Sequence, residues 1–333
     1  MTKSEVQYHL LHGFEDPLIS PEIWNNMVQQ GSTNEIFLIW QWQKAWWEVF
    51  GRGKLILILA EHGGKPFCIA PLFADHGMIY FTGSGGSDYL DFIGSPGSSI
   101  ILEKMLVLAT EQISGFLGFL FYHIPEHSLT LAFLEEIVTR RNWQLFDEGE
   151  QLSPRFDLSE FPEVALQACR KKSLVRHETW FKRNGVLKID HLQRKEDIVP
   201  LLDQFFNQHI ERWAMTPFPS LFLKPSEQLF YRRVTDILSE TGWLRFTAMN
   251  WNGDWVAFHF GFNYNDLFYW YKPSFNAAMA KHSPGEVLLR NLFMNAIEEK
   301  DVIFDFGLGD EAFKTRFATG AVKVKNRGLY PLK

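Results

Sequence analysis

The chain has 333 residues, 46% of them hydrophobic and 16% aromatic, and its 33 basic and 39 acidic side chains give a net charge of −6. That length and apolar content suit two domains or one large one, and the acidic balance argues against a general nucleic-acid binder while leaving room for a local basic patch. Cys68 and Cys169 stand far apart with no paired Cys/His spacing, so no disulfide framework and no metal site are expected, and a reducing compartment fits.

The chain opens with MTKSEVQYHLLHGFEDP, which lacks a continuous apolar core and a small-residue cleavage site, so no signal peptide is predicted. Nothing later approaches the roughly 20 apolar residues of a membrane span, and the expected location is the cytoplasm. The stretch 34–51, from Asn34 to Gly51, carries an apolar-periodic run between capping residues and predicts a helix. Three strands follow, with turns at Gly63–Gly64 and His76–Gly77. Ser95, Pro96 and Gly97 begin a second helix, and a short aromatic strand lies near Phe119.

The middle of the chain is basic. Across CRKKSLVRHETWFKRNGVLKIDHLQRKE nine basic side chains stand against three acidic ones, in a protein whose total is negative. Leu174 and Phe181 lie two turns apart and Gly185 is a stop, so much of this region is expected to be helical. Beyond it, 226–242 reads as another helix, followed by strands turning at Asn252–Gly253 and Asn265–Asp266. Ser283, Pro284 and Gly285 start a further helix that runs from Val287 toward Glu299, and Phe304 and Phe306 flank Asp305 in a short strand.

The two halves share an order of elements. Gly64 and Gly253 are 189 residues apart, as are His76 and Asn265, and the two Ser-Pro-Gly tripeptides are 188 apart. This register predicts duplication of one α/β unit. The second helix start offers unpaired N–H groups and the positive end of a helix dipole, which favour an anion, although Glu286 places a negative charge there. Asp305 is either solvent-facing or buried and paired. Lys314, between Phe313 and Phe317, is either a snorkelling lysine or a fixed charge beside a reacting carbonyl.

These motifs carry a resemblance. FLIWQWQKAWWEVFG, GSGGSDYLDFIG, HIERW, HSPGEVLL and FDFGLGDEAFKTRF resemble the GNAT acyl-CoA N-acyltransferase superfamily, in particular its double-domain CelD/BcsL-like branch. The last motif also resembles the end of the FemABX peptidyltransferases. The resemblance implies an α/β (α+β) fold of two tandem GNAT-like domains, each a mixed, largely antiparallel sheet flanked by helices. Residues 1–165 form a degenerate copy, 166–195 a basic connecting helix, and 196–333 the acyltransferase copy. Two strands of that copy, 267–271 and 302–306, splay to admit the arm of acetyl-CoA or another acyl-CoA.

The resemblance further implies catalytic Lys314 and Asp305, and a donor site at Tyr269, Tyr271, Ser283, Pro284, Gly285, Glu286, Val287 and Phe304. Asp88, Tyr89, Arg212, Trp213 and Phe313 are expected to meet the acceptor, with Asp88 and Tyr89 facing a cleft shared by the copies. The general base stays open among Asp305, Glu286, His259 and His282. The family's phosphate-binding loop is matched only by Gly285, which leaves the donor open as well. The leading expectation is an N-acyltransferase acting on an amine in exopolysaccharide or cell-envelope biosynthesis. One alternative is a FemABX-like transferase using aminoacyl-tRNA, with RNA phosphates on the basic helix; the other is a catalytically silent binding module of a polysaccharide-synthesis machine.

Overall fold

Four tight turns set the strand pairing, and each has both central residues at positive φ: Gly63–Gly64 (59°, 77°), His76–Gly77 (48°, 82°), Asn252–Gly253 (55°, 97°) and Asn265–Asp266 (53°, 58°). Such turns twist in the sense of the strands they join, and Gly, Asn and Asp tolerate them best. The computed structural model describes residues 5–214, 216–309 and 311–332. The chain divides into two units, Met1–Leu152 with Val322–Lys333, and Ser153–Ala321.

The first unit contains β1 (Val6–Leu11), α1 (Pro21–Gln30), α2 (Trp40–Phe50), β2 (Lys54–His62), β3 (Lys65–Asp75) and β4 (Met78–Phe81). It continues through β5 (Ile93–Gly94), α3 (Ser99–Thr110), β6 (Gly118–Pro125) and α4 (Leu129–Arg141) into β7 (Trp143–Asp157). Strands β1 to β4 pair antiparallel in sequence order, β4 runs parallel to β6, and β5 adds to β3.

The second unit contains α5 (Pro162–Cys169), α6 (Lys172–Asn184), β8 (Leu187–Leu192), α7 (Lys195–Ile198), α8 (Leu202–Trp213) and α9 (Pro225–Leu238). Then come β9 (Leu244–Trp251), β10 (Asp254–Tyr264), β11 (Leu267–Phe275), α10 (Pro284–Glu299), β12 (Ile303–Asp305) and α11 (Ala312–Phe317), after which β13 (Gly320–Pro331) returns the chain to the first unit from Val322 onward. Here β8 to β11 pair antiparallel in sequence order and β11 runs parallel to β12. The strand order therefore repeats between units. Each unit then recruits one more strand from a distant part of the chain: β6 pairs with Val324–Leu329 of β13, and β12 pairs with Arg155–Asp157 of β7. The basic helix α6, expected as a connector, lies inside the second unit, whose first residue is Ser153.

In the second unit α5, α6 and α10 cover one face of the sheet, joining Cys169, Leu174, Phe181, Leu292 and Phe293 to Phe268 and Phe304 in one buried cluster. On the other face Phe205 of α8 meets Phe246 at 5.7 Å, and Tyr231 of α9 meets Phe260 at 5.0 Å. Each such buried aromatic contributes about 1.5–3 kcal/mol through area removed from water. The helix expected over 34–51 differs from its prediction. Residues Ile36–Leu38 form a 3-10 turn, Ile39 is extended, and α2 begins at Trp40. Its first N–H donates to Asn25 Oδ1 at 2.8 Å, so the cap comes from α1 rather than from Asn34.

Candidate active site

Strand β11 is longer than the partner beside it. Leu267, Phe268 and Tyr269 pair with Ile303, Phe304 and Asp305, and there β12 ends. The Phe306 N–H turns away to donate to the Pro154 carbonyl (3.0 Å), while β11 continues to Phe275 paired with β10 alone. A bulge marks the departure. Between the pairs Phe262↔Tyr269 and Phe260↔Lys272, β11 has one residue more than β10, which bends the strand. The backbone edge beyond Tyr269 faces a cavity of about 220 Å³.

Four elements supply most of that cavity, and Ala280 of the 3-10 helix Ala277–His282 completes the lining. Trp270, Pro273 and Phe275 come from β11, Ser283, Gly285 and Glu286 from the start of α10, Phe313, Arg316 and Phe317 from α11, and Arg212 from the end of α8. Ser283 adopts the left-handed conformation (φ 55°), so Pro284 occupies the first helical position, where its missing N–H costs nothing. A Cβ on Gly285 would come within 3.1 Å of the Phe275 ring, so this glycine lets the helix start approach the strand.

The charges are unevenly matched. Glu286 lies 3.5 Å from Arg316 and 3.4 Å from His177. Arg212 donates from Nη1 to the Pro273 carbonyl at 2.8 Å and its guanidinium lies 4.5 Å from the Phe275 ring centre. Among the described residues no carboxylate pairs with Arg212, and burial holds its pKa below the usual arginine value. A cation so placed presents free donors to an oxyanion.

The motif FDFGLGDEAFKTRF has a different geometry from the one expected of it. Asp305 is fully buried, accepts from Arg155 Nε at 2.8 Å and Ser153 Oγ at 2.9 Å, and also accepts the Gly307 N–H at 2.7 Å. Lys314 is 6% exposed and directs its ammonium at the Leu308 carbonyl (2.6 Å), the Gly307 carbonyl (3.4 Å) and Glu311 (2.8 Å). The carboxylate and the ammonium thus fasten opposite sides of the glycine loop between β12 and α11. That loop aims Phe313 and Phe317 at the cavity. Neither Asp305 nor Lys314 lines it. Asp310, within the same motif, lies outside the described residues.

Of the other expected residues, Arg212, Ser283, Gly285, Glu286 and Phe313 come together around the cavity. Tyr269, Val287 and Phe304 are core residues, Pro284 is buried at the helix start, and Tyr271 lies under Lys272, whose ammonium is 3.8 Å from its ring centre. Trp213 stacks on His209 at 5.7 Å. In the first unit Tyr89 is fully buried beside Phe37, and Asp88 is half-buried. His259 is buried and His282 lies 3.4 Å from the Trp180 ring centre; neither lines the cavity. Burial pushes His259 and His209 down to about 3, so both are neutral imidazoles near neutral pH. Sequence reasoning missed Trp270, Phe275 and Arg316 as walls; alternation along β11 gave a signal only for burial.

A second surface feature lies on α6. Lys172, Arg176 and Arg183 follow one another at helical spacing and, with Arg170, Thr179 and Trp180, line an open groove of about 540 Å³. Among the described residues no carboxylate pairs with these four cations, whereas Arg140, Arg194, Arg245 and Arg327 all have acidic partners. No helix among the described residues is long and apolar enough to cross a membrane, and no cluster of three His, Cys, Asp or Glu gathers there.

Residues 168–315 match the acetyltransferase (GNAT) domain family. No curated protein matches the chain. Among solved structures it is similar to FemX, at 10% identity and a TM-score of 0.68, with 97% of each chain covered. It is similar to the C-terminal domain of a putative lysylphosphatidylglycerol synthetase from Agrobacterium fabrum, at 15% identity and a TM-score of 0.59 over 92% of this chain and 90% of that one. A tandem GNAT protein from the clavulanic acid biosynthesis pathway gives 11% identity and a TM-score of 0.50 over 97% and 98%. At these identities the likeness is one of fold.

Proposed function

We propose that the chain, whose residues 168–315 match the acetyltransferase (GNAT) domain family, moves an acyl group from an acyl-CoA-type thioester to an amine, with the donor at the cavity beside β11. The observation that carries this reading is Arg212, a half-buried cation with no carboxylate partner among the described residues, held at Pro273 on the stretch of β11 that runs on beyond its last pair with β12. An open strand edge can bond the amides of a pantetheine arm, and an unpaired guanidinium can hold a phosphate or carboxylate. The volume of about 220 Å³ is below that of a site for a whole drug-sized ligand, and suits the acyl end of a donor whose remainder lies outside.

Among the described residues Glu286 is the carboxylate that lines the cavity, so it takes the role of general base toward the attacking amine. Phe313 and Phe317 form the apolar wall for the acyl chain. Lys314 and Asp305 serve this reading by holding the loop that aims α11. The amine acceptor, in line with the resemblance, belongs to an exopolysaccharide or envelope precursor. Calorimetry with acetyl-CoA and longer acyl-CoAs tests the donor. Arg212→Met should weaken donor affinity about 10- to 100-fold, and Glu286→Gln should lower turnover about 10²-fold with affinity little changed. No heat with any acyl-CoA would reject the reading.

One observation favours a second reading. Lys172, Arg176 and Arg183 of α6, which have no carboxylate partner among the described residues, suit a polyanion, as expected if the donor is carried on RNA. Binding of an RNA oligonucleotide that weakens steeply with salt, and is lost when Lys172, Arg176 and Arg183 are replaced by glutamine, would favour it.

A further inference from the structure

The bulge that parts β11 from β12 is held by a side chain. His259, on β10, is fully buried and stacks on Trp270 (ring centres 5.0 Å apart) and Phe268 (5.7 Å). Its Nε2 accepts the Tyr271 N–H at 3.2 Å. Tyr271 is one of the two β11 residues that oppose Gly261, so the imidazole supplies an acceptor where the bulge has interrupted the ladder. Space for the ring depends on Gly261. A Cβ there would lie 2.2 Å from His259 Cε1 and 2.3 Å from the Tyr269 carbonyl oxygen.

The first unit provides an internal control. His259 pairs with Thr247 across β9, and the residues 189 positions earlier, Ala70 and Ile58, pair in the same way. Gly261 corresponds to Leu72. With Ala70 and Leu72 in these places β3 and β4 pair one to one, from Asp75↔Met78 to Leu72↔Phe81, and the Thr82 N–H extends the ladder to the Pro71 carbonyl at 2.8 Å. There the strands stay regular and no bulge forms.

We infer that His259 is a positioning residue: with Gly261 opposite, it fixes the Trp270–Tyr271 bulge and thereby the width of the gap and the Trp270 wall of the donor cavity. It works as a neutral acceptor, and it touches no reacting atom. This deepens the donor reading above and rests on it for its consequence, while the conformational claim stands apart from it.

Two measurements test it. Amide hydrogen exchange over residues 267–275 of the whole chain needs no ligand. His259→Leu should speed exchange there at least tenfold and leave β9 protected, and His259→Gln, whose amide oxygen can accept the Tyr271 N–H, should restore part of the protection. Acetyl-CoA calorimetry on the same variants should show about tenfold weaker binding for leucine, with partial recovery for glutamine. Unchanged exchange in His259→Leu would overturn the inference, as would equal losses in both variants or a loss spread evenly over the second unit. If the leucine variant does not fold, His259→Asn, with an amide too short to reach Tyr271, takes its place under the same criteria. If the wild-type chain binds no acetyl-CoA, the donor reading falls, and the exchange result alone decides the role of His259.

Discussion

The two units repeat one strand order, yet their buried carboxylates are satisfied by opposite means. In the first, Asp91 accepts from three hydroxyls, Thr33 (2.6 Å), Ser128 (2.5 Å) and Thr130 (2.6 Å), and from the Phe92 N–H (2.8 Å); burial raises its pKa. In the second, Asp305 pairs with Arg155, a full charge, and also accepts from Ser153 and Gly307. A hydroxyl cage tolerates either protonation state of a carboxyl. An ion pair requires the charged one, and locks the loop that carries α11. The helix starts differ too. Ser283 and Pro284 begin α10 itself, whereas Ser95, Pro96 and Gly97 lie ahead of α3, which Ser98 caps by accepting the Ile101 N–H. Duplicated sequence landmarks thus perform different structural tasks.

The sharpest way to break this comparison is to neutralise both carboxylates. Asp305→Ala removes a fully buried carboxylate from the Arg155 guanidinium, the Ser153 hydroxyl and the Gly307 N–H, so it should cost about 3–5 kcal/mol and lower the unfolding temperature by roughly 10 °C. Asp91→Asn, which retains a carbonyl for the hydroxyls, should cost about 1–3 kcal/mol. Scanning calorimetry of the two variants compares them, and equal losses would show that the ion pair adds nothing special to the second unit.

Lys314→Met comes next. Removing the ammonium strips the Gly307 and Leu308 carbonyls of their donor, with an expected loss of about 1–3 kcal/mol in thermal unfolding. A fall in turnover of 10²-fold or more in a variant of wild-type stability would instead place the ammonium at the reacting carbonyl.

Asp301 gives the smallest effect and depends on pH. Burial, with Glu299 and Asp266 nearby, raises its pKa to about 6, although Asn263 donates to it at 2.9 Å. Its folded pKa is above the usual carboxyl value, so the folded state binds its proton more tightly. The stability this contributes is complete below about pH 4 and is lost as pH rises through 6. Asp301→Asn should therefore raise the unfolding temperature at pH 7.5 by about 2–4 °C, equivalent to roughly 1 kcal/mol, and by much less at pH 4. A gain that is the same at both pH values would disprove the assignment.

Much of the fold was legible in the sequence. All four hairpin turns, the strands between them and the order repeated at 189 residues follow from local alternation and turn chemistry. Two other strands were not: β7 is mostly exposed along its length and β1 is polar in alternate positions, so neither stands out from a loop. Of the site, the helix start at Ser283 and the aromatic run of α11 were visible, because capping and helical spacing are local signals. Arg212 was visible only through resemblance, since nothing within HIERW says that its guanidinium lacks a carboxylate.

By itself, then, the sequence determined most of the strands and helices, where the chain turns, and that one order of elements is written twice, because turn residues and hydrophobic periodicity act over a few neighbouring positions. The tertiary structure alone decided what the charged residues among the phenylalanines do. Asp305 finds Arg155 from 150 residues away and Tyr271 leans on His259 across a bulge. Burial makes an unpaired charge or N–H costly, so such groups take whichever partner the fold brings near, and no local pattern names it.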